Sequence, residues 1–142
     1  MRVGSLFVAG ILILGAGCGS DEGLTSASGT VTLDGAPLAG ATVEFHPQSP
    51  TGIDGVAETN TEGKYEIRTF QGKRGSLPGS YKVVVTKKEL PPGYDPEKGA
   101  YDPMKLKELV PAPYFDPEKT TLTATVEAGK THDFTLKGAA KK

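Results

Sequence analysis

The chain has 142 residues, which is enough for one domain with a modest hydrophobic core. Sixteen Lys and Arg residues nearly balance seventeen Asp and Glu residues, so neither a nucleic-acid-binding surface nor a strongly acidic tail is indicated. Nineteen Gly and eleven Pro residues are many for a helical protein, and the apolar residues alternate in short runs. The composition therefore favours short strands joined by turns.

Residues 1–18 have the three parts of a secretory signal. Arg2 precedes an apolar stretch over 6–14, and three small residues at 15–17 lead to Cys18, the single cysteine of the chain. The apolar stretch is shorter than the roughly 20 residues that a transmembrane helix needs. Two alternatives stay open, namely an ordinary signal peptide with an incidental cysteine and an uncleaved anchor.

The residues around Cys18 resemble the lipobox of bacterial lipoproteins. In that family the cysteine becomes the new N-terminus and carries lipid on its sulfur, and Ala16 and Gly17 match the small residues before the cut. The resemblance implies a signal peptide over 1–17 and a secreted protein that is lipid-anchored to a bacterial membrane, facing the periplasm or on the cell surface. Two or more acyl chains make such anchoring stable. The polar residues that follow predict a flexible tether over 18–27.

From residue 28 onward, seven short segments alternate between apolar and polar side chains, which predicts a β-strand for each. Turn signals such as Asp34-Gly35 separate them. The predicted strands are 29–33, 41–46, 56–59, 64–68, 80–87, 121–126 and 132–136. No helix-length segment lies between these strands, so we expect antiparallel pairing, with one face of each strand wet.

The inward-facing positions of the strands form the predicted core. Fully burying one such side chain contributes about 1.5–3 kcal/mol, so the set makes a core plausible without a disulfide or a metal. The predicted core residues are Val31, Leu33, Val43, Phe45, Tyr65, Ile67, Tyr81, Val83, Val85, Leu122, Val126, Phe134 and Leu136. Val84 adds apolar surface on the opposite face, which predicts a central place for its strand. The fold class is predicted as all-β, a seven-stranded antiparallel β-sandwich over 28–138, with a solvated tail at 139–142.

Three runs in this body, SGTVTLDGAPLAGATVEFHP, AETNTEGKYEIRT and LPGSYKVVVTK, resemble the carboxypeptidase regulatory-like domain, which belongs to the wider transthyretin-like group. The likeness covers 28–87, and the stretch 113–136 is similar to small bacterial envelope lipoproteins that contain this domain. The resemblance implies a Greek-key sandwich of the transthyretin (prealbumin-like) type. It also implies an accessory role, because such domains space or bind while a neighbouring domain does any catalysis.

Residues 88–120 interrupt the strand pattern with seven prolines. Asp102 and Pro103 predict one or two helical turns that Pro111 ends. Long insertions are often functional, so this loop is the predicted contact surface. The candidate ligand-contacting side chains are Tyr94, Tyr101, Tyr114 and Phe115. The alternative is a solvent-exposed crossover whose aromatic residues cover an open end of the sandwich.

The two histidines do not form a catalytic arrangement in the sequence. Adjacent strand residues point to opposite faces, so His132 and Asp133 cannot share a site through their strand, and His46 ends a different strand. Neither a G-x-S-x-G turn nor a close-spaced zinc ligand pair occurs. We therefore predict no enzyme activity, no cofactor and no metal site.

Calcium is the strongest alternative to that last prediction, because carboxylate oxygens are its preferred ligands. The acidic candidates are Asp95, Glu97, Asp102, Asp116 and Glu118. However, Asp-Pro-Glu occurs twice among them, and Asp before Pro is a turn signal. Solvated turns are therefore the favoured interpretation.

The sequence leaves two functional hypotheses. The first is a non-catalytic, lipid-anchored module of the cell envelope with a structural or protein-interaction role. The second is an envelope binding protein that uses the 88–120 loop to hold a glycan or a small ligand. The predicted partners are the membrane, through the anchor, and an envelope protein or glycan, whereas no nucleic acid is expected.

Overall fold

The computed structural model describes residues 23–95, 97–99 and 103–138; the leader, Cys18 and Tyr101 lie outside these ranges. Within them the chain is mostly β-structure, which confirms the all-β class. The strands are β1 (Ser28–Leu33), β2 (Ala36–Pro37), β3 (Thr42–Pro47), β4 (Gly55–Glu58), β5 (Lys64–Glu66), β6 (Arg68–Thr69), β7 (Gly79–Thr86), β8 (Lys88–Glu89), β9 (Lys107–Glu108), β10 (Thr123–Val126) and β11 (Phe134–Leu136). The helical segments are a 3₁₀ turn (Pro103–Lys105) and α1 (Ala112–Phe115). None of the helices in the described ranges is long and apolar enough to cross a bilayer.

Two main sheets build the body. In the first, β1 lies between β11 on one side and β2 and β5 on the other, with β5 pairing the N-terminal half of β1 and β2 its C-terminal half. The second sheet has the order β10-β7-β3-β4-β6. The strands β8 and β9 form a separate two-stranded ribbon. The sequence-predicted strand 80–87, observed as β7, therefore has a neighbour on each side, as the buried Val84 indicated.

The pairing of β1 with β11 is parallel, so the prediction of an entirely antiparallel fold is wrong at this point. Val31 to Leu33 lie in register with Phe134 to Leu136. Parallel strands need a long crossover connection, and here the rest of the body between the two strands supplies it. An intervening helix is therefore not required, and the first and last strands of the body lie side by side.

Each of the seven predicted strands overlaps an observed strand, but one of them divides. The segment 64–68 breaks at Ile67 into β5, which pairs with β1, and β6, which pairs with β4. The Ile67 side chain is fully buried, and its backbone N–H donates to the Ala27 carbonyl at 2.8 Å. The chain thus passes from one sheet to the other at a core residue.

The buried apolar side chains of both sheets form one cluster. Of the thirteen predicted core residues, eleven are buried, and the other two, Leu33 and Leu122, are partly buried and pack against the cluster. Phe45 contributes aromatic contacts, with ring centroids 5.7–6.5 Å from those of Tyr65, Tyr81, His132 and Phe134. The alternation of the sequence therefore predicts which side chains face the interior.

The folded body begins before residue 28, where the tether is predicted to end. Thr25 and Ser76 exchange two backbone hydrogen bonds of 2.8 and 2.9 Å, and Ala27 is fully buried. A β-carbon on Gly75 would overlap the Thr25 carbonyl oxygen, so the two segments approach closely. From Thr25 onward the chain is part of the body, which shortens the predicted tether.

The 88–120 insertion has its own local structure, which differs from the predicted one. Glu108 Oε1 accepts hydrogen bonds from the backbone N–H groups of Lys87 (2.7 Å) and Val110 (3.0 Å), and so holds the base of the β8–β9 ribbon. The predicted helix is reduced to the 3₁₀ turn because β9 pairs with β8. Pro111 precedes α1 and does not end a helix, since proline fits a helix start, where its missing N–H would have no partner.

Candidate functional site

The candidate aromatic residues of the long loop do not share one environment. Tyr114, in α1, packs against the hydrophobic core, and its hydroxyl accepts a hydrogen bond from the Lys137 backbone N–H at 3.3 Å. Val110, just before α1, is buried in the same core cluster. This part of the loop covers the core, which is the role that the alternative interpretation assigned to the aromatic residues.

Tyr94 lies in a separate turn of the loop. Its backbone N–H donates to the Pro91 carbonyl at 3.1 Å, and its hydroxyl donates to the Gly99 carbonyl at 3.3 Å. Tyr94 and Phe115 are each half-buried, as Tyr114 is, and Tyr101 is outside the described residues. The three candidates that the structure describes therefore keep part of their surface covered by the chain itself.

Two acidic candidates of the loop, Asp95 and Asp116, serve turns, while Asp102 lies outside the described residues. Asp116 Oδ1 accepts the Glu118 backbone N–H at 2.9 Å, and the other carboxylate oxygen is 3.1 Å from Lys119 Nζ. That backbone hydrogen bond, followed by the Lys119 interaction, lowers the pKa of Asp116. Asp95 makes the same bond to the Glu97 N–H at 3.0 Å. The turn interpretation is confirmed for these two aspartates, and the described part of the chain brings no three potential ligands together around a metal-sized space.

His132 and Asp133 point in opposite directions, as their adjacent positions predict. The His132 ring is buried edge-on to Phe45, with 6.0 Å between ring centroids, and its backbone carbonyl accepts the Tyr65 hydroxyl. Asp133 is exposed and accepts the Thr30 backbone N–H at 2.8 Å. Both side chains thus contribute to the junction of β1 with the last strand, and they do not form a shared site.

Burial also changes the titration of two groups at this junction. Burial, followed by the charge of Lys130, lowers the pKa of His132, although the nearby Asp133 and Glu127 raise it in part. Burial raises the pKa of Tyr65 well above its usual range, and Asp133 adds to the effect. Near neutral pH the imidazole is therefore uncharged and the phenol keeps the proton that it donates to the His132 carbonyl.

His46 belongs to a different cluster on the other face of β3. Because Phe45 points inward to His132, the adjacent His46 points away from it. His46 Nδ1 lies 3.1 Å from Asp54 Oδ1, and Nε2 lies 3.3 Å from Glu44 Oε2. The imidazole is hydrogen-bonded to Asp54, with Glu44 close to its other nitrogen, and so ties β3 to the 48–54 connection. The two histidines are therefore separated by the strand and cannot act on one substrate.

A surface that sequence reasoning missed is an apolar groove of about 510 Å³. It lies where β3 and β6 end and β4 and β7 begin, and four loop residues supply its apolar lining, namely Leu24, Ile53, Phe70 and Leu77. Phe70 is 78 % exposed and Ile53 is 41 % exposed. The four residues come from three irregular segments, because Phe70 and Leu77 share the connection between β6 and β7, and no local periodicity marks them as a group. The sequence feature that could have indicated the groove is the presence of single large apolar residues within otherwise polar loops.

No family model matches this chain, and no significant match was found among curated proteins or solved structures. The resemblances to the lipobox and to the carboxypeptidase regulatory-like domain therefore depend on the quoted residues alone. They stay predictions, and the function is argued from the chain itself.

Proposed function

We propose that this protein is a non-catalytic, lipid-anchored module of the bacterial cell envelope, held on a membrane through Cys18 and acting by protein contact or as a structural element. The observation that carries the proposal is the order of features along the chain. A charged residue, a short apolar stretch and small residues lead to a single cysteine, and Thr25, seven residues further on, already belongs to the folded body.

The fold assignment is part of the same proposal. Two sheets of four and five strands that share one core support a β-sandwich. We assign it the Greek-key topology of the transthyretin-like group on the strength of the resemblance over 28–87. The parallel pairing of β1 with β11 and the division at Ile67 are features that this assignment has to accommodate.

The non-catalytic part of the proposal is supported by the placement of the titratable side chains. His132 packs its ring against Phe45, while His46 is occupied by two carboxylates on the opposite face of β3. A general base needs a nucleophile or a substrate proton within about 3 Å, and each imidazole instead has a packing or hydrogen-bonding role. A binding or structural role fits this placement better than acyl or glycosyl transfer.

The glycan-binding alternative has weaker support. Its four aromatic candidates would have to offer exposed ring faces together, but Tyr114 is committed to the core. The alternative now depends on Tyr94, Tyr101 and Phe115, and it predicts a ligand-induced rise in melting temperature that Tyr94→Ala or Tyr101→Ala removes.

Lipidation at Cys18 is tested by substituting the cysteine in the full chain, expressed with its own leader in a bacterium that processes lipoproteins. We expect the unsubstituted protein to stay in the membrane fraction after a high-salt wash, with acylated Cys18 as its N-terminal residue by mass spectrometry. Cys18→Ser should move the protein to the soluble exported fraction, whereas the neighbouring Ser20→Ala should leave it in the membrane. Membrane retention of Cys18→Ser would contradict the proposal.

A further inference from the structure

We propose that the apolar groove of Leu24, Ile53, Phe70 and Leu77 is a membrane-docking surface, which rests on the headgroup region of the bilayer that holds the anchor. This inference depends on the proposed lipidation of Cys18 and goes beyond it. It names the face of the domain that the lipid contacts, and therefore the orientation of the whole body on the membrane.

The first argument is distance. Leu24 lines the groove and is six residues from Cys18, so a fully extended chain between them spans at most about 22 Å. Thr25 is bound to Ser76, which prevents the chain from lengthening this link without breaking the body. A lipid on Cys18 therefore keeps the groove within a few tens of ångströms of the bilayer at all times.

The second argument is the rigid presentation of Phe70, which is more exposed than Ile53 in the same groove. Phe70 follows β6 in a tight turn, in which the Thr69 N–H donates to the Lys73 carbonyl at 2.9 Å and the Gly72 N–H donates to the Thr69 carbonyl at 2.8 Å. Gly72 has a φ of +81°, a conformation that glycine adopts at no steric cost. The turn holds an aromatic ring in solvent, where it gains free energy by entering a less polar phase.

The third argument is charge. Residues 68–77 include Arg68, Lys73 and Arg74 and no acidic residue, and Lys73 lines the groove. The nearby acid Glu66 is 3.9 Å from Arg68 and 3.8 Å from Arg74, at side chains that remain largely exposed. Lys73 therefore places a basic side chain in the lining of the apolar groove, with Arg74 next to it in sequence, and this combination is complementary to anionic headgroups above a hydrocarbon layer.

A bilayer is favoured over other occupants because the anchor changes the affinity that is required. The patch is too small to hold a protein stably on a membrane by itself, but a tethered second contact is an intramolecular event with a high effective concentration. A second copy of the chain has no comparable tether to the groove. Weak lipid contacts by Phe70 and Ile53 are therefore sufficient to orient the domain.

The chain has no tryptophan, so Phe70→Trp creates a single fluorescent reporter at the proposed contact. The matched control is Leu90→Trp, at another partly exposed apolar residue, 42 % exposed. Leu77, which lines the groove together with Phe70, precedes β7, and Leu90 follows it. The control residue is therefore separated from the groove by a strand of eight residues, about 26 Å long. Both variants are made in the full lipidated chain and reconstituted into vesicles of phosphatidylethanolamine and phosphatidylglycerol that contain brominated lipid.

We expect brominated lipid to quench Phe70→Trp several-fold more strongly than Leu90→Trp, with a blue-shifted emission. Adding Ile53→Asp to Phe70→Trp should abolish most of that quenching while the protein stays in the vesicles. If acylated Cys18 is found but the two reporters are quenched equally, the docking proposal is wrong and the anchor stands. If Cys18 carries no lipid and the chain leaves the vesicles, both proposals fail. The emission of Phe70→Trp could instead shift to the blue with rising protein concentration and without quenching by brominated lipid. That result would indicate a second copy of the chain in the groove and would overturn the membrane-docking proposal.

Discussion

Gly29 lies where β1 runs against the backbone of His132. A β-carbon at this position would overlap the His132 carbonyl oxygen, which is the atom that accepts the Tyr65 hydroxyl. Position 29 requires glycine for lack of space, because the His132 carbonyl belongs to the backbone and cannot rotate away as a side chain could. We expect Gly29→Ala to lower the free energy of unfolding by about 3 kcal/mol in urea denaturation. Gly99→Ala is the control, since a β-carbon there meets nothing nearer than 3.7 Å, and equal midpoints for the two variants would contradict this prediction.

His132 makes the stability of the body depend on pH. Its pKa is lowered in the folded state, mainly by burial, so the unfolded chain binds a proton more readily. The contribution of the uncharged His132 to the free energy of unfolding is complete above the ordinary histidine pKa of about 6.5. It is lost as the pH falls from that value through the lowered pKa of the folded state. We expect the urea midpoint of unfolding to decrease as the pH is lowered from 7.5 to 5. His132→Phe, which keeps the aromatic contact, should make that decrease smaller. His46→Gln should retain the His132 component, and an unchanged slope in His132→Phe would exclude this assignment.

Among the elements, β11 contributes more to the stability of the fold than its length of three residues suggests. It pairs with β1 and buries Phe134 and Leu136 in the core. Each of these side chains contributes about 1.5–3 kcal/mol by burial, which together is a large part of the roughly 5–15 kcal/mol by which a domain is stable. The last strand is therefore required to hold the first one in place.

Deletion of residues 134–142 should consequently abolish cooperative unfolding, as followed by circular dichroism during a thermal scan. Deletion of residues 139–142 alone should leave the melting temperature unchanged, because it removes neither core residue and keeps the Gly138 N–H that donates to Asp34 at 2.8 Å. A cooperative transition in the longer deletion would show that β1 does not need its parallel partner.

For the whole molecule, the short distance between Cys18 and the body is the feature with the widest consequence. A long tether would let the domain take any orientation on the membrane. With six residues between Cys18 and Leu24, the end of the five-stranded sheet that carries the groove stays near the membrane. The proposed contact partners would then meet the opposite end, where the 88–120 insertion follows β7 and begins with β8. The Cys18→Ser and Phe70→Trp experiments test the anchor and the orientation separately.

The interior of this protein was largely predictable from local pattern. Apolar residues at every second position, as in Val43 and Phe45 or Val83 and Val85, are buried because the two faces of a strand alternate with a period of two. The signal-like residues before Cys18 are likewise read from neighbours in sequence, which is why they support a proposal about anchoring. The long loop was less predictable, since Pro111 is compatible with the start of a helix as well as with an end.

The sequence by itself determined the all-β class, the approximate strands, most of the core and the separation of His132 from Asp133. Only the tertiary structure decided that β1 and β11 are parallel, that the chain changes sheets at Ile67, and that three irregular segments form an apolar groove. The physical reason is the range of the interaction. Alternation is a property of consecutive residues, whereas these features depend on free energies of contact between segments far apart along the chain, which leave no period in the sequence.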